Sequence, residues 1–385
     1  MATNTITNLI PDLYAAMDIV SRELVGFIPA VSSDMTFDRA AVGQTVRSPV
    51  APPSTASDIT PNVSPPDDGE QVFGNVSMTI TKARRVPVRW NGEQSRGLGN
   101  GGIGRARLMQ DQFSQAMRTL VNEVEADLAA LHIYASRAYG TAGTTPFATA
   151  NDYTDASFAA KILKDNGGPG SDNHLILNTT ASATMIGKQS AVNAAGTDSI
   201  LRQGVLLDVA GLSLRESAQI NQFTAGTGAS ATTNAAGYAI GATTITLAVA
   251  GTGTIIAGDV VVFAGDTNKY VVATGDTDVS NGGTIVLAEP GLRKAIPAAA
   301  TAITVSAASA RNMVFNRAAI ALATRAPALP EEGDSAADRQ IITDPRSGLS
   351  FEISMYLQYR QVQYEVALAW GVKAVSTKYI GILLG

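Results

Sequence analysis

The amino-acid sequence predicts an α+β protein with a small β-module inserted into a loop of its host. Three observations carry this prediction: one long helical period, several stretches with alternating polarity, and a segment of unusual composition. That segment, Gln219 to Ser306, holds twelve glycines and fifteen threonines but only four aromatic residues and eight charges. Such a composition disfavours long helices and favours a small twisted sheet.

The overall composition bounds the possible functions before any motif is considered. A chain of 385 residues with 45% hydrophobic residues can form two or three compact units with real cores. The net charge of −5 provides no general attraction to phosphate backbones, so tight nucleic-acid binding is disfavoured. The absence of cysteine excludes disulfides, thiolate metal sites and cysteine nucleophiles.

Neither a membrane span nor a signal peptide is predicted. No segment reaches the roughly 18 consecutive apolar residues that a spanning helix needs. The N-terminus lacks a basic region, and Pro11 interrupts the place where the apolar part of a signal peptide would lie. We therefore expect a soluble protein that is made and used without export.

The N-terminal region begins with a predicted amphipathic helix over residues 5–28. Its apolar positions recur at spacings of three and four, namely Leu9, Leu13, Met17, Val20 and Leu24. Pro11 suits the first turn and Pro29 ends the helix. The pattern leaves open whether this helix packs on its own domain or reaches away from it.

An extended pattern follows from Thr36 to Trp90. Six prolines between Pro49 and Pro66 restrict that part to edge strands or open loops, and an acidic tip follows at Asp67, Asp68 and Glu70. We interpret this region as a long hairpin-like excursion. Because such a hairpin is marginal in water, it must pack either on its own chain or on a neighbour.

A glycine-rich joint at Gly97 to Gly104 precedes a long helix that is predicted to run to about Ala138. Leu108, Phe113 and later apolar residues form one face, whereas Asp111, Arg118, Asn122 and Glu125 are assigned to the opposite polar face. At 1.5 Å per residue the helix would be roughly 50 Å long. A helix of that length needs an extended surface to lie on.

The second half combines a compact α/β unit, the insert and closing strands. The predicted elements are a helix from Thr154 through Lys164, a buried strand His174 to Asn178, a helix starting at Thr179 or Thr180, a continuation of the unit at Asn312 to Arg325, a polar loop at Pro327 to Gly348, and strands over Phe351 to Val375. Within the insert, strands are predicted at Thr243 to Val249, Gly258 to Phe263, Lys269 to Ala273 and Gly283 to Ala288. Their short spacing predicts a small barrel, with Asn281-Gly282 as a hairpin turn signal.

Three sequence patterns superficially suggest chemistry. Gly97, Gly99 and Gly102 satisfy G-x-G-x-x-G, but the preceding strand contains a proline and an arginine and the following helix is too long for a dinucleotide fold, so a hinge is favoured. Asp276 and Asp278 begin like a calcium loop whose later positions do not match, which favours a turn. The two histidines, His132 and His174, have no metal-ligand spacing, and the sequence gives no catalytic residue and no cofactor.

A basic group is the most informative charge feature. It consists of Lys82, Arg84, Arg85, Arg89 and Arg96. One interpretation is a solvated strand edge. The other is contact with an adjacent copy of the chain, in which Arg84, Arg85, Arg89 and Arg96 would meet Asp67, Asp68 and Glu70 in a head-to-tail arrangement. The sequence leaves both open.

Several stretches resemble coat proteins of tailed bacteriophages with the HK97-like capsid fold, most closely the P22-like branch with its inserted β-domain. The resemblance lies in VAGLSLRES, NMVFNRAAIALATR and GLSFEISMYLQYRQVQYEVALAWGVKA, and in the order of elements along most of the chain. It implies eight segments: an N-terminal arm (1–34), a P-domain part (35–48), an E-loop (49–84), a P-domain part with a spine helix (85–143), a first A-domain part (144–218), an inserted β-domain (219–306), a second A-domain part (307–349) and C-terminal P-domain strands (350–385).

The resemblance also implies a function and partners. The expected function is a major capsid protein, not an enzyme, that forms pentamers and hexamers of an icosahedral shell around double-stranded DNA. The implied partners are a separate scaffolding protein, a portal protein, weakly contacted DNA and, as an option, a decoration protein, with assembly in the host cytoplasm and residence in the virion. The alternatives are an encapsulin-like cellular compartment and a non-viral surface-layer or adhesin protein.

Overall fold

The computed structural model describes residues 25–50, 56, 58–59, 61, 74–99, 105–149, 152–188, 206, 208–343 and 348–385. The strands are β1 (Ser32–Ala40), β2 (Thr45–Val50), β3 (Gly74–Thr79), β4 (Lys82–Asn91), β5 (Arg137–Tyr139), β6 (Asn173–Leu177), β7 (Ser213–Glu216), β8 (Gln222–Phe223), β9 (Thr244–Leu247), β10 (Val260–Phe263), β11 (Lys269–Thr274), β12 (Gly283–Leu287), β13 (Ile303–Val305), β14 (Ser309–Asn316), β15 (Ile320–Pro327), β16 (Ala336–Thr343), β17 (Ser350–Gln358), β18 (Gln361–Ala374) and β19 (Ile380–Leu384). The α-helices are α1 (Gly92–Gly99), α2 (Arg105–Ala129), α3 (Thr154–Asp165) and α4 (Thr179–Lys188). The predicted α+β class is confirmed.

The first sheet has the strand order β1-β15-β18-β17-β16, and β4 pairs with the opposite side of β18. Helix α2 lies across one face of this sheet, because its apolar stripe matches the inward positions of β4 and β18. Phe113 of α2 meets Tyr364 edge to face at 5.6 Å between ring centroids. Trp370 is fully buried beneath the helix, and its indole N–H donates to Asp127 at 2.8 Å.

The second sheet has the order β13-β10-β11-β5-β19-β14-β6-β7. Helices α3 and α4 pack on its host portion through small and aliphatic side chains. The predicted buried strand at His174 is confirmed as β6, whose five residues are all buried. The predicted helix at Thr154 is confirmed as α3, but Tyr153 and not Thr154 is its N-cap residue, and the backbone N–H of Thr154 donates to the Asp152 carboxylate at 2.8 Å.

The insert forms the expected small barrel. Antiparallel pairing links β9, β12, β11, β10 and β13 in that order. Bridges from Thr233 to Leu247 and from Thr232 to Ala302 join the two outer strands through one short segment, which closes the circuit. A separate apolar core fills it. The turn predicted at Asn281-Gly282 is part of a longer connection, in which a 3-10 helix at Val279–Asn281 precedes Gly282 with φ of 81°.

The barrel is continuous with its host at two places. Strand β11 pairs with β5, so the host sheet extends directly into the barrel. Strand β8, where the chain enters the insert, pairs with the beginning of β14, where the chain leaves it. The entry and exit therefore lie side by side in a two-strand neck.

The helix predicted to reach Ala138 is shorter than expected. Helix α2 ends at Ala129 and a 3-10 helix, Ala130–Tyr134, follows, so the α-helical part is about 37 Å long. The reason is tertiary: β5 begins at Arg137 and pairs with β19 and β11. In addition, Glu125 is buried, with 1% of its surface exposed, and does not lie on a solvated face as predicted.

The region from Pro327 to Gly348 is not a continuous polar loop as predicted. Strand β16 occupies Ala336–Thr343 and pairs with β17 along its length. It lies at the end of the sheet order, where polar residues can face solvent without disturbing the core. This is why its composition resembles that of a loop.

The strands on either side of the segment boundary predicted between residues 349 and 350 do not separate into one sheet each. Strand β15 pairs with β1 and β18 of the first sheet, although Asn312 to Arg325 was expected to continue the α/β unit throughout. Strand β19 lies in the second sheet between β14 and β5. The predicted helix over residues 5–28 lies almost wholly outside the described residues. No helix in the described part of the chain is both long and apolar enough to cross a membrane.

Candidate subunit interface

The predicted basic group lies mainly on β4, an outer strand of the first sheet. Strand β4 pairs with β18 on one side only, and Pro87, which cannot donate a hydrogen bond, lies within it. Alternate residues of a strand point to opposite faces. The adjacent Arg84 and Arg85 therefore point in different directions, and the basic group divides into two sets.

One set faces α2. The Lys82 ammonium lies 2.7 Å from the Asp127 carboxylate, which also accepts the indole N–H of Trp370. The Arg84 guanidinium lies 3.4 Å from the carboxylate of Glu123. Sequence reasoning missed these partners because strand and helix are separated by the glycine-rich joint and their register is set only by packing.

The other set faces away from α2. The Arg85 guanidinium bonds the Glu365 carboxylate on β18 at 2.7 Å. The Arg85 side chain is nevertheless 58% exposed, whereas that of Glu365 is 15% exposed. Arg89, four residues further along β4 and on the same face, is exposed, and so is Arg96 near the end of α1. Outward-facing cations therefore follow one face of the edge strand.

The acidic residues proposed to meet this face, Asp67, Asp68 and Glu70, lie outside the described residues. Their contact with Arg84, Arg85, Arg89 or Arg96 stays a prediction. Even so, the described ends of their loop are informative. Strands β2 and β3 form an antiparallel ribbon in which Val50 pairs with Gly74, so residues 51–73 leave and return at neighbouring positions.

Among the described residues, this ribbon contacts the first sheet at its base and along β3, where the Lys373 ammonium donates to the Ser77 carbonyl oxygen at 2.6 Å. Met78 and Ile80 pack against Ala323 and Ala369 of the first sheet in a small apolar cluster. At the closest approach, a side chain added to Gly371 would meet the carbonyl oxygen of Thr79 at 2.1 Å. Towards the other end the described side chains are less buried: Arg47 and Asn75 are exposed, and Val76 and Ser77 are partly buried. A two-stranded ribbon of this kind lacks a covering surface within the described part of its own chain.

Glu125 is a buried, hydrogen-bonded carboxylate, although the sequence predicted a solvated position for it. From inside α2 its carboxylate accepts hydrogen bonds from the backbone N–H groups of Phe27 at 3.0 Å and Ile28 at 2.8 Å, with a longer bond from Gly26 at 3.3 Å. The hydroxyl of Ser217 also donates to it at 2.8 Å. Burial raises the pKa of this carboxyl, and the hydrogen bonds oppose the shift. Glu125 thus joins the N-terminal segment, α2 and the strand that leads to the insert.

The three superficial motifs are located as follows. Gly97 and Gly99 form the last turn of α1, and Gly102 lies outside the described residues. The Asp278 carboxylate accepts from the backbone N–H of Ser280 at 3.0 Å, as in a turn. His174 contacts Asp172 at 3.1 Å, a carboxylate partner two residues away that the sequence interpretation did not include.

Comparisons with known proteins give structural similarity only. No family model and no curated protein matches the chain. A capsid chain of the cyanophage P-SCSP1u has 12% sequence identity and a TM-score of 0.49, covering 93% of this chain and 87% of that chain. A chain of the mature capsid of bacteriophage PhiM1 has 10% identity and a TM-score of 0.46, covering 93% and 86%. A virus-like particle from Pyrococcus furiosus has 9% identity and a TM-score of 0.41, covering 97% and 98%. This chain is thus similar, along most of its length, to chains that form phage capsids and a virus-like particle.

Proposed function

We propose that this chain is a phage major capsid protein of the HK97-like type, a structural subunit and not an enzyme. The observation that carries the proposal is the β2–β3 ribbon, which is anchored on the first sheet and leaves Arg47 and Asn75 exposed beyond its base. An element of this kind is stabilised when a neighbouring copy covers it. In a shell every copy both supplies such a ribbon and receives one.

The packed part of the molecule suits this role. Helix α2 and the first sheet share one apolar core, and the base of the ribbon packs on that sheet. The proposal assigns residues 1–34 to an arm, 35–48 to the P-domain, 49–84 to an E-loop, 85–143 to the P-domain, 144–218 and 307–349 to the A-domain, 219–306 to the insert and 350–385 to C-terminal strands. In this proposal β15 belongs with the P-domain sheet and β19 with the A-domain sheet, since pairing assigns them there.

In the proposed interface, ion pairs between adjacent copies set the register. The base of the ribbon is held by the apolar cluster of its own chain. Arg85 and Arg89, on the outward face of β4, would receive Asp67, Asp68 or Glu70 of the adjacent copy, with Arg84 and Arg96 at its margins. One exposed ion pair contributes typically less than about 1 kcal/mol. Repetition around a closed shell gives a weak contact a large collective effect, so strength in any single pair is not required.

The finer parts of the proposal concern the assembly. We propose pentamers and hexamers in an icosahedral shell around double-stranded DNA, a separate scaffolding protein, a portal protein, and assembly in the host cytoplasm before residence in the virion. A decoration protein is an optional partner. An encapsulin-like compartment and a surface-layer or adhesin protein are the competing outcomes.

A ribbon-shortening variant tests the proposal. Because Val50 and Gly74 are neighbours across the ladder, residues 51–73 can be replaced by an Asn-Gly turn that closes the two strands. We expect wild-type chain, expressed with and without a scaffold, to give closed shells in electron microscopy. The shortened variant should keep its melting temperature and remain dispersed. Sheets or small discrete oligomers from wild-type chain would favour the surface-layer alternative, and shells from the shortened variant would refute the role of the ribbon.

A charge exchange tests the interface residues separately. Arg85→Glu with Arg89→Glu should prevent shells, and Asp67→Lys with Asp68→Lys should restore them. The matched control is Glu365→Lys, which restores only the pair within one chain. Rescue by the control but not by the exchange would show that Arg85 acts inside its own subunit.

A further inference from the structure

A pocket of about 400 Å³ lies where the neck of the barrel meets the end of α2. Its walls are formed by Ala129 and His132, by the entering segment 219–224, and by Arg311 of β14. None of the described residues that line it belongs to β4 or to the β2–β3 ribbon. Its occupancy is therefore a question separate from the proposed shell contacts.

Arg311 gives the pocket its chemical character. Only 2% of its surface is exposed, yet Nε, Nη1 and Nη2 all have no hydrogen-bond partner in the part of the chain that the structure describes. The guanidinium carbon lies 4.9 Å from the centre of the Phe223 ring. Burial lowers the pKa of Arg311 to about 10, so the group is still a cation at neutral pH. The negative charge of Asp259 opposes this lowering of the pKa. Its carboxylate accepts hydrogen bonds from the backbone N–H groups of Gly226 and Ile256, and not from Arg311.

Two further polar atoms beside Arg311 are buried and have no partner among the described residues, His132 Nε2 and Ser309 Oγ. The His132 ring stands edge to face with Phe223 at 5.1 Å. Its Nδ1 lies 3.0 Å from the Ala129 carbonyl oxygen, which can only accept, so Nδ1–H donates this bond. Burial lowers the pKa of His132, so the ring is neutral and Nε2 is an unprotonated acceptor. Ser309 precedes Arg311 by two residues on β14 and lies on the same face of that strand, opposite Phe223.

The two other arginines that are buried in the described part of the chain each have a carboxylate partner. Arg137 lies 3.0 Å from Asp165, and Arg325 lies 3.1 Å from Asp34. A buried cation without a partner is strongly unfavourable, because desolvation is not offset by any attraction or hydrogen bond. Arg311 therefore needs an acceptor that the described chain does not supply, and the pocket leaves room for one.

We propose that this pocket binds an oxyanion, a carboxylate or phosphate group that accepts hydrogen bonds from Arg311 and from Ser309 and lies beside the His132 ring without a hydrogen bond to it. A planar guanidinium with several donors fits two oxygens of such a group. The group can belong to a free anion or to an acidic side chain of a second copy of the chain. In either case it ties the neck of the barrel to the end of α2.

The histidines allow a direct measurement. The chain contains only two of them, so imidazole NMR signals can be assigned with His174→Gln. In the soluble, unassembled chain we expect titration with inorganic phosphate or acetate to shift the His132 signal saturably and to leave His174 unchanged. A shift of His132 on assembly alone, without added anion, would instead identify an acidic group of another copy. No shift under either condition would overturn the proposal, and this measurement needs no variant at the pocket.

Two matched variants test Arg311 itself. Arg311→Met should weaken phosphate or acetate binding at least about tenfold. Without anion it should melt at the wild-type temperature or above, since it removes an uncompensated charge. The control, Arg137→Met, removes a partnered buried arginine and should melt lower while keeping the His132 response. Equal destabilisation by both variants would mean that Arg311 already has a structural partner, contrary to the proposal.

Discussion

Replacing Glu125 probes the contact that joins three separate parts of the chain. Glu125→Ala removes the acceptor of the backbone N–H groups of Gly26, Phe27 and Ile28, and also the acceptor of the Ser217 hydroxyl. All three N–H groups belong to buried residues. Leaving a buried donor unsatisfied costs about 1–3 kcal/mol. We therefore expect the free energy of unfolding to fall by about 3 kcal/mol or more.

Glu125→Gln separates the hydrogen bonds from the charge. The Gln amide oxygen can replace the carboxylate oxygen that bonds Ile28 at 2.8 Å and Phe27 at 3.0 Å, while the amide nitrogen faces Gly26 and can donate to Ser217. The variant loses one long bond but also loses a buried charge, whose cost is indicated by the raised pKa. These two effects oppose each other, so we expect a change within about 1 kcal/mol.

Denaturant unfolding of the unassembled chain at several pH values is the assay. Because the pKa of Glu125 in the folded state lies above its ordinary value of 4.5, protonation of this group favours the folded state. The stabilisation of the folded state by protonated Glu125 is fully present below pH 4.5 and is lost as pH rises through the raised pKa. Glu125→Gln cannot titrate, so the curve of stability against pH should lose this decline.

Glu123→Ala is the matched control, two residues earlier on the same helix. Its side chain is 36% exposed and its ion pair with Arg84 spans 3.4 Å, so the loss should stay below about 1 kcal/mol. Equal losses from Glu123→Ala and Glu125→Ala would refute the reasoning about buried donors. A Glu125→Gln variant as unstable as Glu125→Ala would show that the negative charge itself is required.

Two further predictions concern the ribbon base and the acid limb of stability. Gly371→Ala should destabilise the chain by about 1–3 kcal/mol, because its new methyl group would overlap the Thr79 carbonyl. The control Gly92→Ala has open space around the new methyl group and should not destabilise the chain. Similar melting temperatures for the two variants would contradict this prediction. Asp334 has its pKa lowered to about 2, chiefly by Arg339, so its stabilising effect is present above the ordinary value of 3.8 and lost as pH falls towards 2. Asp334→Asn should flatten stability over that window, and an unchanged pH profile would count against the contact.

Local sequence patterns predicted the elements whose burial repeats with a fixed period. Strand β6 and helix α3 were located nearly to the residue, because each has one apolar face or run between clear ends. The barrel strands were located from Gly and Asp turns between β-branched runs. By contrast, β16 was missed, because an outer strand can be polar and still pair.

The candidate interface could be predicted only in part. The sequence identified the basic group, but it placed Arg84 and Arg85 together, whereas the pleat of β4 separates them onto opposite faces. Their partners Glu123 and Glu365 lie far away in the sequence, and no local pattern specifies such pairs. The proposed contact with Asp67, Asp68 and Glu70 stays a prediction.

By itself, the sequence determined the α+β class, the composition of the inserted module, strand β6 and the barrel strands β9 to β12, because periodicity and turn chemistry act over a few residues. Only the tertiary structure decided where α2 ends, which sheet contains β15 and β19, and that Glu125 and Arg311 are buried. Pairing between distant strands and the removal of charge from water depend on the whole packed molecule. A polar residue on a helix or strand looks the same in sequence whether it faces solvent or an internal donor.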